Sequence, residues 1–258
     1  MNEDLRLKII SIIKNSGEGH IPSSFSIVDI IDYLYGNVLK IYKNPSHENR
    51  DYFILSKGHG CAALYTVLNK HGFLTNTQLK SYSNKNSILG GHPDSTKIPH
   101  VEASTGSLGH GFPMACGIAL GLKIKKKRNK VITLLGDGEC HEGTIWESAN
   151  IASNRNLTNL IAIIDWNKSA QQLMPIENLK NKWISFGWEV HVINGHCKKN
   201  FNYMSKVIKK KKNTKPVVFL AQTIKGKGVS FLEGHGKWHH KIPNDKELEE
   251  IKKELNMI

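Results

Sequence analysis

Four short apolar runs, VITLLG (131–136), LIAIID (160–165), WEVHVIN (188–194) and PVVFLAQTI (216–224), punctuate the second half of the chain. Each is too short for a buried helix and is rich in β-branched residues, which predicts strands. Between them lie EGTIWESANIASN (142–154), a stretch from Leu179 to Phe186 and a lysine-rich segment, all with helical patterning. Strands that lack polar alternation are covered on both faces, so the expected fold is α/β, a parallel β-sheet with helices on both faces.

The first half reads as helices and loops. Leu5, Ile9, Ile12 and Ile13 recur at helical spacing, and Gly17 closes that helix. Ser26 followed by Asp29 predicts a capping box ahead of Ile30, Ile31 and Leu34, and Gly58 to His71 reads as another helix ended by Gly72. From residue 108, LGHGFPMACGIALGLKIKKK is rich in Ala and Gly, which predicts a helix packed closely against its neighbours. The tail from Asp245 is amphipathic through Leu248, Ile251 and Leu255 and is expected to pack on the body. No repeat, linker or composition break divides the chain, so residues 1–258 are expected to form one domain.

Composition narrows the function classes. Hydrophobic residues make up 39% of the chain, enough for a real core. No apolar stretch approaches the roughly 20 residues that span a bilayer, and the first residues are mixed-charge and amphipathic. The four cysteines contain no CxxC pair and read as reduced thiols, so a cytoplasmic protein without a membrane partner is expected. The net charge of +14 lies mostly in lysine runs such as KIKKKRNK and KVIKKKKNTK, which lack interleaved aromatics. They predict solvated helix ends and loops and no nucleic-acid partner, although a basic surface favours anionic substrates.

The sharpest chemical feature is Gly136-Asp137-Gly138-Glu139 at the carboxyl end of one strand, followed one helix and one strand later by Asp165-Trp166-Asn167. Right-handed crossovers bring both tips to the same sheet edge, where parallel α/β sheets bind ligands. A carboxylate and an amide oxygen converging there suit a hard cation such as Mg2+, which also takes phosphate oxygens. Gly138 and the helix start beside it favour a phosphate. Taken alone, GDG is equally a turn, and Asp137 a helix cap. An Asp-nucleophile phosphatase would need Asp-x-Asp, and Lys225-Gly226-Lys227-Gly228 lacks the spacing of a P-loop.

The pair of motifs resembles the thiamine diphosphate signature of the transketolase family. Further stretches extend the likeness over nearly the whole chain: GEGHIPSSFS with His20, SKGHGCAALY with His59, GGHPD with His92, STGSLGHG, and TIKGKGVSF followed by KWHHKIPN. The resemblance implies a thiamine diphosphate-binding fold, with Asp137, Asn167 and the backbone carbonyl of Ser169 holding Mg2+. It implies that His59, His239 and Gly138 contact the diphosphate, that Gly106 and Leu108 frame the cofactor, and that Ser107, Gly136, Glu139 and Lys225 belong to its site. His20, His92 and His239 would face the sugar, where imidazoles donate, accept and titrate near neutrality. His20, His59, His92 and His239 are thus the expected catalytic set, with His110 and His240 adjoining motif positions.

The implied reaction is ketol transfer from a ketose donor to an aldose acceptor, with sugars or sugar phosphates as substrates. Ile21-Pro22-Ser23-Ser24 departs from the family's glycine-rich pattern and is expected to put side chains into a substrate-side loop. Trp166 replaces a small polar residue, and His240 stands where glycine is usual. In the family a glutamate on a second, pyrimidine-binding domain completes the site. After His239 the chain runs only to Ile258, without the arginines that usually grip a sugar phosphate, so that domain is expected on a second transketolase subunit in an α2β2 heterotetramer. Alternatives are a subunit of a deoxyxylulose phosphate synthase-like or 2-oxo acid dehydrogenase-like enzyme, or a non-catalytic cofactor-binding protein.

Overall fold

A computed structural model describes residues 2–171, 174–210, 214–234, 236 and 238–255. His235, which has no assigned role, and Lys211 and Lys212 of the lysine-rich run lie outside the described residues. In chain order the elements are α1 (Glu3–Ser16), α2 (Ile21–Asn37), β1 (Tyr52–Leu55), α3 (Cys61–Lys70), α4 (Asn76–Lys80) and α5 (Gly111–Ile124). There follow β2 (Val131–Gly136), α6 (Gly143–Asn154), β3 (Leu160–Trp166), α7 (Leu179–Ser185), β4 (Glu189–Asn194), α8 (Lys198–Ile208), β5 (Val217–Gln222) and α9 (Asp245–Glu254).

The strands form one five-stranded sheet in the order β1-β2-β3-β5-β4, parallel throughout. Side chains alternate between two cores. Ile132, Leu134, Ile161, Ile163 and Phe219 pack with α1, α2 and α3, while Val131, Leu135, Leu160, Ile164 and Leu220 pack with α5, α6 and α7. This period of two, with apolar residues on both sides, makes the strands read as unbroken apolar runs. Among the described residues no helix is long and apolar enough to cross a membrane.

Three details differ from the sequence-based expectations. β1, the segment YFIL, has only four residues and is fixed by parallel pairing with Val131–Leu134, a contact no local pattern shows. α2 begins at Ile21, five residues before the expected capping box at Ser26. The physical reason is that Ser26 and Asp29 are occupied elsewhere: the Ser26 hydroxyl lies 2.8 Å from Asp165 Oδ2, and Asp29 takes the Arg6 guanidinium at 2.7 Å. Ser23 and Ser24 therefore sit in the buried first turn of a helix rather than in a loop. In α5, Ala115 and Ala119 pack inward as expected, whereas Gly117 and Gly121 have no described atom within 4 Å of an added Cβ.

Candidate functional site

Gly136 pairs with Asp165 and Asp165 with Ala221, so β2, β3 and β5 end level with one another. The floor of the site is the Asp165 carboxylate, which is 0% exposed. Its Oδ2 lies 2.5 Å from Lys57 Nζ and 2.8 Å from both Ser26 Oγ and Asn167 Nδ2, and its Oδ1 accepts from the Thr223 hydroxyl. Lys57 is 2% exposed, so this is a buried ion pair kept tolerable by the remaining hydrogen bonds. Because a carboxylate only accepts, Asn167 must present Nδ2 to it, which leaves Oδ1 to take the Ser169 N–H at 2.9 Å. Lys57 and Asp165 carry the architecture of the site. Sequence reasoning assigned them no role, although Lys57 precedes the Gly58-His59 pair and Asp165 opens the Asp-Trp-Asn motif.

Asp137 follows β2 directly and is 5% exposed. Its Oδ1 accepts the Gly138 N–H at 2.8 Å, while its Oδ2 is buried and has no partner among the described residues. Burial, then the nearby Asp165 charge, pushes its carboxyl up to about 6. An orphaned, desolvated carboxylate oxygen close to an amide is what a bound cation would satisfy. Among the described residues no group of three His, Cys, Asp or Glu side chains forms a metal cage. The carboxylate of Asp137 and the amide oxygen of Asn167 are hard donors, a set that fits a hard cation drawing its remaining ligands from a phosphate and water.

Glu139 has a different task. Its carboxylate accepts from the Ser56 hydroxyl, from Gly109 N–H at 2.9 Å and from Gly136 N–H at 3.2 Å, so it ties the segment after β1, the Gly109 turn and the end of β2 together. Above this floor is a cleft of about 280 Å³ that touches Ser23, Lys57, His59, Leu108, Gly138, Asn167, Ser169, Lys225 and His239. Of the Pro22-Ser23-Ser24 stretch, Ser23 is the residue that lines this cleft.

Lys225 Nζ donates to Ser169 Oγ at 2.7 Å and lies 2.9 Å from His239 Nδ1. Lysine has only donors to offer, so Nδ1 accepts and the His239 proton resides on Nε2. The His20 ring stands 5.3 Å from His59 and 5.2 Å from His239, centroid to centroid. Burial, reinforced by His239 and His240, lowers His20 to about 4, and burial with Lys57 lowers His59 further. Burial, then Lys225, lowers His239 as well. These three imidazoles are neutral at pH 7, each with one donor and one acceptor nitrogen. His92 stands at the rim, where Cδ2 would be 3.2 Å from a Cβ on Gly106. Ser107 is exposed and does not line the cleft.

The family described as transketolase, thiamine diphosphate binding domain, matches residues 1–258. The chain belongs to the transketolase family. It is similar to one subunit of the apulose-4-phosphate transketolase of Actinobacillus succinogenes, 39% identical over 97% of this chain and 93% of that protein. The corresponding subunit from Phocaeicola vulgatus is 34% identical over 99% and 92%. A 6-deoxy-6-sulfo-D-fructose transketolase subunit from Clostridium sp. is 38% identical over 89% and 86%. The crystal structure of Campylobacter jejuni transketolase superposes with a TM-score of 0.90 at 29% identity, covering 98% of this chain but only 41% of that one. This transketolase-family chain therefore spans about two-fifths of the length of that solved transketolase and nearly the full length of the two apulose-4-phosphate relatives.

Proposed function

We propose that this chain is the diphosphate-binding subunit of a two-subunit transketolase, that residues 1–258 form its single domain, and that it works in the cytoplasm. The observation that carries the catalytic reading is the buried, partnerless Asp137 Oδ2 in a cleft that also presents Asn167, Lys225, His59 and His239, with the His20 ring packed near both imidazoles. The end-to-end match to proteins that are themselves named as single subunits of a transketolase supports a partner. The described cysteines are free, which supports a reducing compartment. Subunits of other thiamine diphosphate enzymes, and a non-catalytic binding protein, are not favoured by these matches.

Asp137, Asn167 and the Ser169 carbonyl would hold Mg2+ against the diphosphate, with Gly136 and Gly138, His59 and Lys225 around it. Glu139 would act indirectly, by fixing the Gly136 and Gly109 backbones. Leu108, which lines the cleft, and Gly106 would frame the organic rings. Thiamine diphosphate, when bound, supplies the ring that lets a former carbonyl carbon carry negative charge. His20, His92 and His239 would bind the hydroxyls of a sugar or sugar phosphate. Because His20 stays neutral, it can take a proton from a hydroxyl oxygen and return it, whereas His239, its Nδ1 held by Lys225, offers its Nε2–H to a hydroxyl oxygen. The partner subunit would close the open side of the cleft, in an α2β2 assembly; the open face of α5, with Met114 and Ile124 exposed, supports further association.

The experiment is to purify the chain and the pyrimidine-domain subunit separately and together, with cofactor and Mg2+, and follow ketol transfer from several donors. Transfer by the mixture and by neither component alone is expected. Sustained turnover by this chain in a preparation shown by mass spectrometry to hold no other protein would refute the split-enzyme reading.

A further inference from the structure

Glu18 and His240 come from opposite ends of the chain and meet over His20. Glu18 lies in the loop between α1 and α2, whose path needs left-handed backbone on both sides of it, at Gly17 (φ 70°) and Gly19 (φ 138°). At Gly19 a Cβ would stand 2.8 Å from Ile13 Cγ1, so no side chain fits there. The Ser16 hydroxyl oxygen lies 3.2 Å from both the N–H and the carbonyl oxygen of Glu18 and fixes the turn. The segment with His240 is anchored too: the Trp238 ring packs 5.3 Å from Phe231, and the Lys241 ammonium sits 4.1 Å over Trp238 while pairing with Glu247.

Between these two anchored segments His240 Nε2 lies 3.3 Å from Glu18 Oε1, and its ring stands 4.7 Å from the His20 ring at 64°. Their side chains are 49% and 48% exposed, whereas His20 and His59 are largely enclosed. The imidazoles thus form a series from the cofactor end outward, His59, then His20 and His239, then His240 at the mouth. With Nε2–H donated to Glu18, His240 keeps Nδ1 without a partner among the described residues, an acceptor for a hydroxyl.

We propose that His240, oriented by Glu18, is a specificity-determining residue that hydrogen-bonds a sugar hydroxyl beyond the reacting carbons. This rests on the transketolase reading above. His20 and His239 are near enough to the cofactor end to serve the reacting carbonyl and its neighbouring hydroxyl. His240 is one imidazole further out, so it reads the part of the sugar in which donors differ. A site built to pair a hydroxyl discriminates against substrates that do not offer it in the right place. Glu18 does not touch the sugar; it acts through the ring it holds and is a positioning residue.

The test uses the assembled two-subunit enzyme with cofactor and Mg2+, D-xylulose 5-phosphate and D-fructose 6-phosphate as donors, and D-ribose 5-phosphate as acceptor. His240→Ala should raise KM for at least one donor about tenfold and change the ratio of kcat/KM between the donors, with kcat and the thiamine diphosphate Kd moving less than about twofold. His240→Asn, whose Oδ1 can stand in for Nδ1, should recover part of that loss. Glu18→Gln should shift KM in the same direction by less, and should add nothing to His240→Ala. An unchanged donor ratio in His240→Ala overturns the inference, and so does a loss of cofactor affinity as large as the loss for the sugar. A wild-type assembly that binds cofactor yet transfers nothing from any donor overturns the transketolase reading itself, and this inference with it.

Discussion

Asp137 is held in surroundings that oppose its charge. Its carboxyl, raised to about 6 by burial and Asp165, must lose a proton before it can bind a cation at lower pH. Mg2+ affinity is therefore expected to fall about tenfold per pH unit below pH 6 and to level off above it, and calorimetry in buffers of different ionisation enthalpy will read the released proton. Asp137→Ala should abolish Mg2+-dependent cofactor binding; undiminished affinity would remove the centre of the proposed mechanism. The sign for the free chain is the reverse of the usual acid case. The folded carboxyl binds protons up to about 6 and the unfolded one only to 3.8, so between these values stability without metal falls as pH rises. Asp137→Asn should flatten that slope in thermal melts. Beneath it, Lys57→Met strips the Asp165 carboxylate of its cation and should cost about 3–5 kcal/mol in urea unfolding. Asp137 and Asn167 were legible in the sequence because strand-end position is a local property. The Lys57 to Asp165 pair was not, since it joins residues 108 positions apart and neither neighbourhood marks the other.

At the scale of elements, the loop after β5 sets where Lys225 points. Gly226 has φ 79°, and a Cβ there would fall 2.0 Å from the Leu232 carbonyl oxygen. Gly226→Ala must therefore displace the backbone that aims Lys225 at Ser169 and His239. It should cost more than about 1 kcal/mol and weaken thiamine diphosphate binding about tenfold, as read by denaturant unfolding and a fluorescence titration. The long apolar runs announced β2, β3 and β5 because burial on both faces dictates composition directly. β1 went unseen because a four-residue segment becomes a strand only through the neighbour it pairs with. The start of α2 was misplaced for a related reason: Ser26 and Asp29 have the chemistry of a cap but spend it on Asp165 and Arg6. Arg6 and Asp29 lock α1 to α2 below the Glu18 loop. Burial would raise Asp29, but the His196 and Arg6 contacts hold it well below the usual carboxylate range.

For the whole molecule, the sheet divides the interior into two cores, and the cleft opens at their shared edge with His92, His239 and His240 exposed. If a second subunit covers that opening, cofactor and Mg2+ must favour association, because a ligand held by both chains binds the pair better than either alone. The dissociation constant of the two subunits, measured by sedimentation, is expected to tighten at least about tenfold with thiamine diphosphate and Mg2+, and Asp137→Ala should erase the difference. The level endings of β2, β3 and β5 have a consequence for how such a protein can change over generations. The reactive tips are surveyed from the sheet, as fixed benchmarks are, and the crossover helices only carry the chain back to its start. Those helices, and the lysines that crowd their outer sides, are free to drift in sequence while the benchmarks stay put. Lineages descended from one such chain could therefore take up new sugars by altering rim residues, without redesigning the floor on which the chemistry stands.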